Sequence, residues 1–87
     1  MQFLKFPLNS LNAGASVEVT LSGVESDLFL VDPSNLRAME NGQQFSYTGG
    51  HYKQSPVRLS VPHSGDWTAV VVPGAGGTVT ASVRVFS

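Results

Sequence analysis

The chain has 87 residues, no cysteine, 13% charged residues and a formal net charge of −1 at pH 7. That length predicts one domain over residues 1–87, without disulfides, thiolate metal sites or a cysteine nucleophile. The near-neutral balance gives no electrostatic pull toward nucleic acid or an anionic membrane, and no apolar run approaches the ~20 residues that cross a bilayer.

The opening stretch, MQFLKFPLNS, has no basic segment followed by an apolar run, so no secretory signal and a cytoplasmic location are expected. Residues 2–8 form a first, weak strand candidate, closed by the turn residues Asn12-Ala13-Gly14. In ASVEVTLSG, Val17, Val19 and Leu21 alternate with Ser16, Glu18, Thr20 and Ser22, the period of a strand with one buried face. Gly23 ends it. Residues 27–31 read as a strand with Leu28 and Leu30 on one side and Phe29 and Val31 on the other. DPSNLRAMENG carries the one helical signal: Asp32 to cap, Pro33 at the first helical position and Gly42 at the exit. Residues 43–48 are a further strand candidate, followed by a Gly49-Gly50 turn.

VRLSV alternates Val57, Leu59 and Val61 with Arg58 and Ser60. After a corner at Pro62–Gly65, residues 66–72 place Trp67, Ala69 and Val71 on one face and Val70 and Val72 on the other. PGAGGTVT reads as a hairpin loop, because a strand follows it where a phosphate loop needs a helix, and it lacks the Walker lysine. TVTASVRVF closes the chain with Val79, Ala81, Val83 and Val85 opposite Thr78, Thr80, Ser82 and Arg84. About seven short strands with turns every eight to twelve residues predict an all-β class, a small antiparallel β-sandwich, jelly-roll-like or barrel-like, with a short helical turn at 32–42.

Chemistry is sparse. A strand at 56–61 separates His51 from His63 by roughly 20 Å, at ~3.3 Å per residue, so the two imidazoles cannot share a metal. His63, Ser64 and Asp66 fall within one tight turn, where neighbouring side chains diverge instead of facing one another as a triad requires. Glu25 and Asp27 come together near the His51 end and read as solvated acids rather than a calcium site. No metal, cofactor or catalytic residue is expected. Lys5, Arg58 and Arg84 point away from the core. Tyr47, His51, Tyr52 and Lys53 around Gly49-Gly50 are the most ligand-like group, since aromatic faces on a loop stack sugars or bases. Phe29, Val31, Val70, Val72 and Phe86 lie where a half-exposed sheet would carry polar residues. Either the 32–42 segment covers them or a second copy does.

VEVTLSG (17–23), YTGGH (47–51), SPVRLSVPHSGDW (55–67) and ASVRV (81–85) together resemble a bacterial family known as domain of unknown function eighteen eighty-three. The resemblance spans nearly the whole chain and is most specific in the SPVRL-VP-SG-W block. It implies a small all-β domain, found alone or joined to a TIR domain (Toll/interleukin-1 receptor type), and no catalytic residues. The stretch NGQQFSYTGG departs from relatives that carry several Arg and Tyr before the glycine pair, so an anion-binding role of those cations does not transfer. The TIR link suggests sensing or assembly in bacterial defence, by analogy. The expected function is a non-enzymatic binding or assembly module that self-associates through an apolar sheet face as a homo-oligomer. The alternative is a small-ligand or carbohydrate binder using the Gly49–Tyr52 loop.

Overall fold

Among the described residues the alternating segments become seven strands: β1 (Leu4–Leu11), β2 (Ser16–Gly23), β3 (Ser26–Val31), β4 (Thr48–Tyr52), β5 (Val57–Ser60), β6 (Gly65–Pro73) and β7 (Val79–Phe86). A helix, α1 (Pro33–Glu40), lies between β3 and β4. The computed structural model describes residues 3–74 and 77–86. Two antiparallel sheets form, ordered β1-β6-β3-β4 and β5-β2-β7, giving an all-β sandwich. Every connection except that from β3 to β4 carries the chain from one sheet to the other.

The stretch after Pro73 is therefore a crossover between sheets and not the hairpin loop its composition predicts. Residues 75 and 76, within it, lie outside the described residues. A second correction concerns β4, which begins where the expected strand at 43–48 ends. Gly49 and Gly50 are both inside this strand, and β3 passes close at the first of them: Gly49 has φ +139°, and a Cβ there would collide with the Leu28 carbonyl oxygen. Gly49 marks backbone proximity, and the pair lies within a strand instead of a turn.

Between the sheets, β2 contributes Val17 and Val19, β3 contributes Leu28 and Leu30, and β6 contributes Val71, all fully buried, with Trp67 beside them. Burying such side chains contributes about 1.5–3 kcal/mol each. Ser26, at the start of β3, is buried with them and donates its hydroxyl to the Val24 carbonyl at 3.0 Å.

The other side of β3 and β6 is covered by α1. Asp32 caps this helix, its Oδ1 accepting the Asn35 backbone N–H at 2.8 Å. The Asn41 N–H donates to the Arg37 carbonyl, and Gly42 leaves with φ +72°. Leu36 and Met39, three apart and so on one side of the helix, pack with Phe3, Phe29, Phe45 and Val72 onto Val31 and Val70. Val31 and Val70 are consequently fully buried within one chain, and neither offers the exposed interface expected of it. Phe29 and Val72 are partly buried in the same cluster. Lys5 of β1 reaches Glu40 of α1 at 3.3 Å and ties the helix to the sheet edge.

Phe86 belongs elsewhere. It lies on the second sheet, where the guanidinium groups of Arg58 and Arg84 sit 4.8 and 5.4 Å from its ring centroid. Arg58 also pairs with Glu18 at 3.2 Å across the β2–β5 ladder. The five residues expected to form one apolar face thus divide between the two sheets.

Candidate functional site

A cleft of about 160 Å³ opens where the start of α1, the approach to β4 and the β5–β6 corner meet. Asp32, Asn35, Ser46, Tyr47, Thr48, Pro62, His63 and Trp67 line it. Three separate stretches of sequence supply these residues, and the fold holds each in place.

The helix start is fastened first. Asp32 Oδ1 accepts hydrogen bonds from the Asn35 backbone N–H (2.8 Å), Asn35 Nδ2 (2.9 Å) and the Ser34 hydroxyl (3.2 Å). The backbone N–H is the main reason the Asp32 carboxyl titrates below its ordinary value of 3.8, against the opposing effect of its burial. The Asn35 and Ser34 side chains and the nearby His63 act in the same direction as that bond. Asn35 Oδ1 in turn accepts the Ser46 backbone N–H at 2.8 Å, which pins the segment leading to Tyr47. Tyr47 is half exposed, with its ring on Phe29 (centroids 4.5 Å apart) and Phe45 (5.4 Å). It is therefore braced from behind while one side remains open.

His63 and Trp67 form the opposite wall, their ring centroids 4.9 Å apart. Trp67 Nε1 donates to the His63 carbonyl at 3.0 Å, so the indole is fixed across the corner. The Ser64 hydroxyl accepts the Ala13 N–H at 3.1 Å, and the nearest partner of His63 Nδ1 is the Ser64 carbonyl, at 3.2 Å. Asp66 sits opposite Ser10 in the β1–β6 ladder. The Ser64 hydroxyl is thus engaged by the loop between β1 and β2, and residues 62–64 form the corner that joins β5 to β6. Among the described residues, Asp32 Oδ2, the hydroxyls of Ser46 and Tyr47, and His63 Nε2 make no hydrogen bond within the protein. These groups are free to meet a ligand.

The expected ligand loop does not stay together. Tyr47 lines this cleft, while His51, Tyr52 and Lys53 line a different depression with Gln54, Pro56, Val57 and Arg58. Strand alternation separates them further: Tyr52 packs toward the sandwich core, whereas His51 faces Asp27 in the β3–β4 ladder. His51 Nδ1 lies 2.8 Å from Asp27 Oδ1, and Nε2 lies 3.2 Å from Glu25 Oε1. Lys53 Nζ is 4.0 Å from the second Glu25 oxygen. Hydrogen bonding to Asp27, then to Glu25, holds the His51 pKa above its ordinary 6.5. Among the described residues, no group of three His, Cys, Asp or Glu is arranged to hold a metal ion.

Sequence reading named Tyr47 but missed Asp32, Asn35, His63 and Trp67 as partners in one site. Asp32 was legible only as a cap and Trp67 only as core, and both readings hold. A signal did exist: a capping Asp with an Asn three residues on, and a lone Trp beside a His-bearing corner. No helix among the described residues is long and apolar enough to cross a membrane. No curated protein and no solved structure matches the chain. A family model does match, over residues 1–87, and the chain accordingly belongs to the family described as Domain of unknown function (DUF1883), the one its strand and corner motifs resemble.

Proposed function

We propose that this domain is a non-enzymatic binding module whose ligand is a small, hydroxyl-rich ring compound of the sugar class, held in the cleft between Tyr47 and His63, with Trp67 packed behind His63. The observation that carries this reading is the convergence of braced aromatic side chains with unpaired polar groups in a single depression. A cleft of about 160 Å³ in which polar side chains stand beside aromatic ones suits a small hydroxyl-rich ring better than an apolar ligand. The half-exposed Tyr47 ring covers the C–H side of a sugar ring, while Asp32 Oδ2 and the Ser46 hydroxyl take its hydroxyl groups.

The chain has a single tryptophan, and it lines the cleft. Trp67 fluorescence therefore reports occupancy directly. Titration with a panel of monosaccharides and disaccharides should give a saturable change for at least one compound. Tyr47→Ala, at a half-exposed position whose loss leaves the core intact, should abolish that change while the protein remains folded by circular dichroism. No saturable response at millimolar sugar, or a response that survives Tyr47→Ala, defeats the proposal.

A further inference from the structure

The two sheets leave four edge strands: β1 and β4 in one, β5 and β7 in the other. A free edge presents unpaired N–H and C=O groups that template pairing with another chain, and proteins blunt such edges with proline, charge, bulges or shortness. Three of the four are blunted. β1 carries Lys5 and Pro7 and breaks register between Pro7 and Asn9, where Asn9 has φ +62°. β4 is five residues long with two glycines at its centre. β5 is four residues long, lies between Pro56 and Pro62, and carries Arg58.

β7 has none of these features beyond one arginine. It runs eight residues, VTASVRVF, in unbroken register with β2 from Val79 opposite Gly23 to Phe86 opposite Ser16. Val85 pairs with the fully buried Val17 and so belongs to the inward row, yet it is 42% exposed. An inward valine left in water at an unguarded edge is what a missing neighbouring strand would produce.

We infer that β7 pairs antiparallel with β7 of a second copy of this chain, joining the two smaller sheets into one continuous six-stranded sheet across a two-fold axis. The strand is self-complementary for this. With the axis at Ser82, Val79 faces Val85 of the other copy, Ala81 faces Val83, and Thr80 faces Arg84. The inward rows then continue each other and no like charges are opposed. A net charge of −1 adds little repulsion between copies. This surface is separate from the cleft, so the two proposals fail independently.

Light scattering behind a sizing column, over a range of protein concentrations, tests it. The expected result is a mass of twice the monomer that dissociates on dilution. Val85→Lys, an inward-pointing charge at an edge, should give a folded monomer. Thr80→Lys and Thr80→Glu, at one exposed position, should act in opposite directions. Lys would oppose Arg84 in both symmetry-related pairs and weaken the dimer roughly two- to thirtyfold, and Glu would tighten it. A monomer at every concentration overturns the inference. So does a dimer indifferent to the sign of charge at position 80, which would place the contact on another surface or require another protein's strand at this edge.

Discussion

His51 can satisfy both neighbouring carboxylates only when both of its ring nitrogens carry protons. The charged imidazole is thus the form that Asp27 and Glu25 favour, and this is why its pKa lies above 6.5. A raised folded-state value contributes stability that is fully present below pH 6.5 and is lost as pH rises through the folded pKa. Proton NMR titration of the His51 ring should return a midpoint above 6.5, and Asp27→Asn should lower it more than Glu25→Gln. The thermal midpoint of the wild-type protein should fall across that window relative to His51→Gln. The cluster is exposed, so the change is small. Sequence placed the two acids near His51 but could not show the imidazole held between them, because the register of β3 against β4 decides that contact. A one-residue slip would turn His51 to the other face.

The helix is where local signals were most legible and their consequence least so. Asp32, Pro33 and Gly42 mark its ends by chemistry that operates within a few residues. Which sheet it covers depends on contacts with Val31 and Val70, distant from each other in sequence, and a period-two pattern says only that both are apolar. Asp32→Ala should therefore have two effects. Loss of the cap should cost about 0.5–2 kcal/mol, read as a lower unfolding midpoint. Loosening α1 should also expose the apolar surface beneath it, read as increased binding of a hydrophobic dye. The carboxyl titrates below 3.8, so its contribution is full above that value and disappears as pH falls through the lowered pKa. The stability gap between wild type and Asp32→Ala should close in acid. The start of β4 differs from expectation for a related reason: two glycines read as a turn when judged alone, and only the approach of the Leu28 carbonyl reveals why a side chain is not tolerated at Gly49.

At the scale of the whole molecule, alternation in β2, β5, β6 and β7 was sufficient to announce strands and their inner faces. Val17, Val19, Leu59, Trp67 and Val71 are buried as the pattern requires. The cleft was not legible because it gathers residues from 32–35, 46–48 and 62–67, which only the stacking of two sheets and a helix brings together. The same arrangement governs how the chain reaches this state. Since consecutive strands nearly always fall in opposite sheets, almost no ladder can zip up from a local hairpin, and each must wait for distant chain to arrive. All-β topologies of this kind assemble in roughly milliseconds to seconds. Stopped-flow refolding monitored through Trp67 should fall in that range, well behind a helical bundle of equal length. Until the last pairing is made, newly synthesised chains would carry unmatched strands, and β7 is the one least equipped to refuse the wrong company.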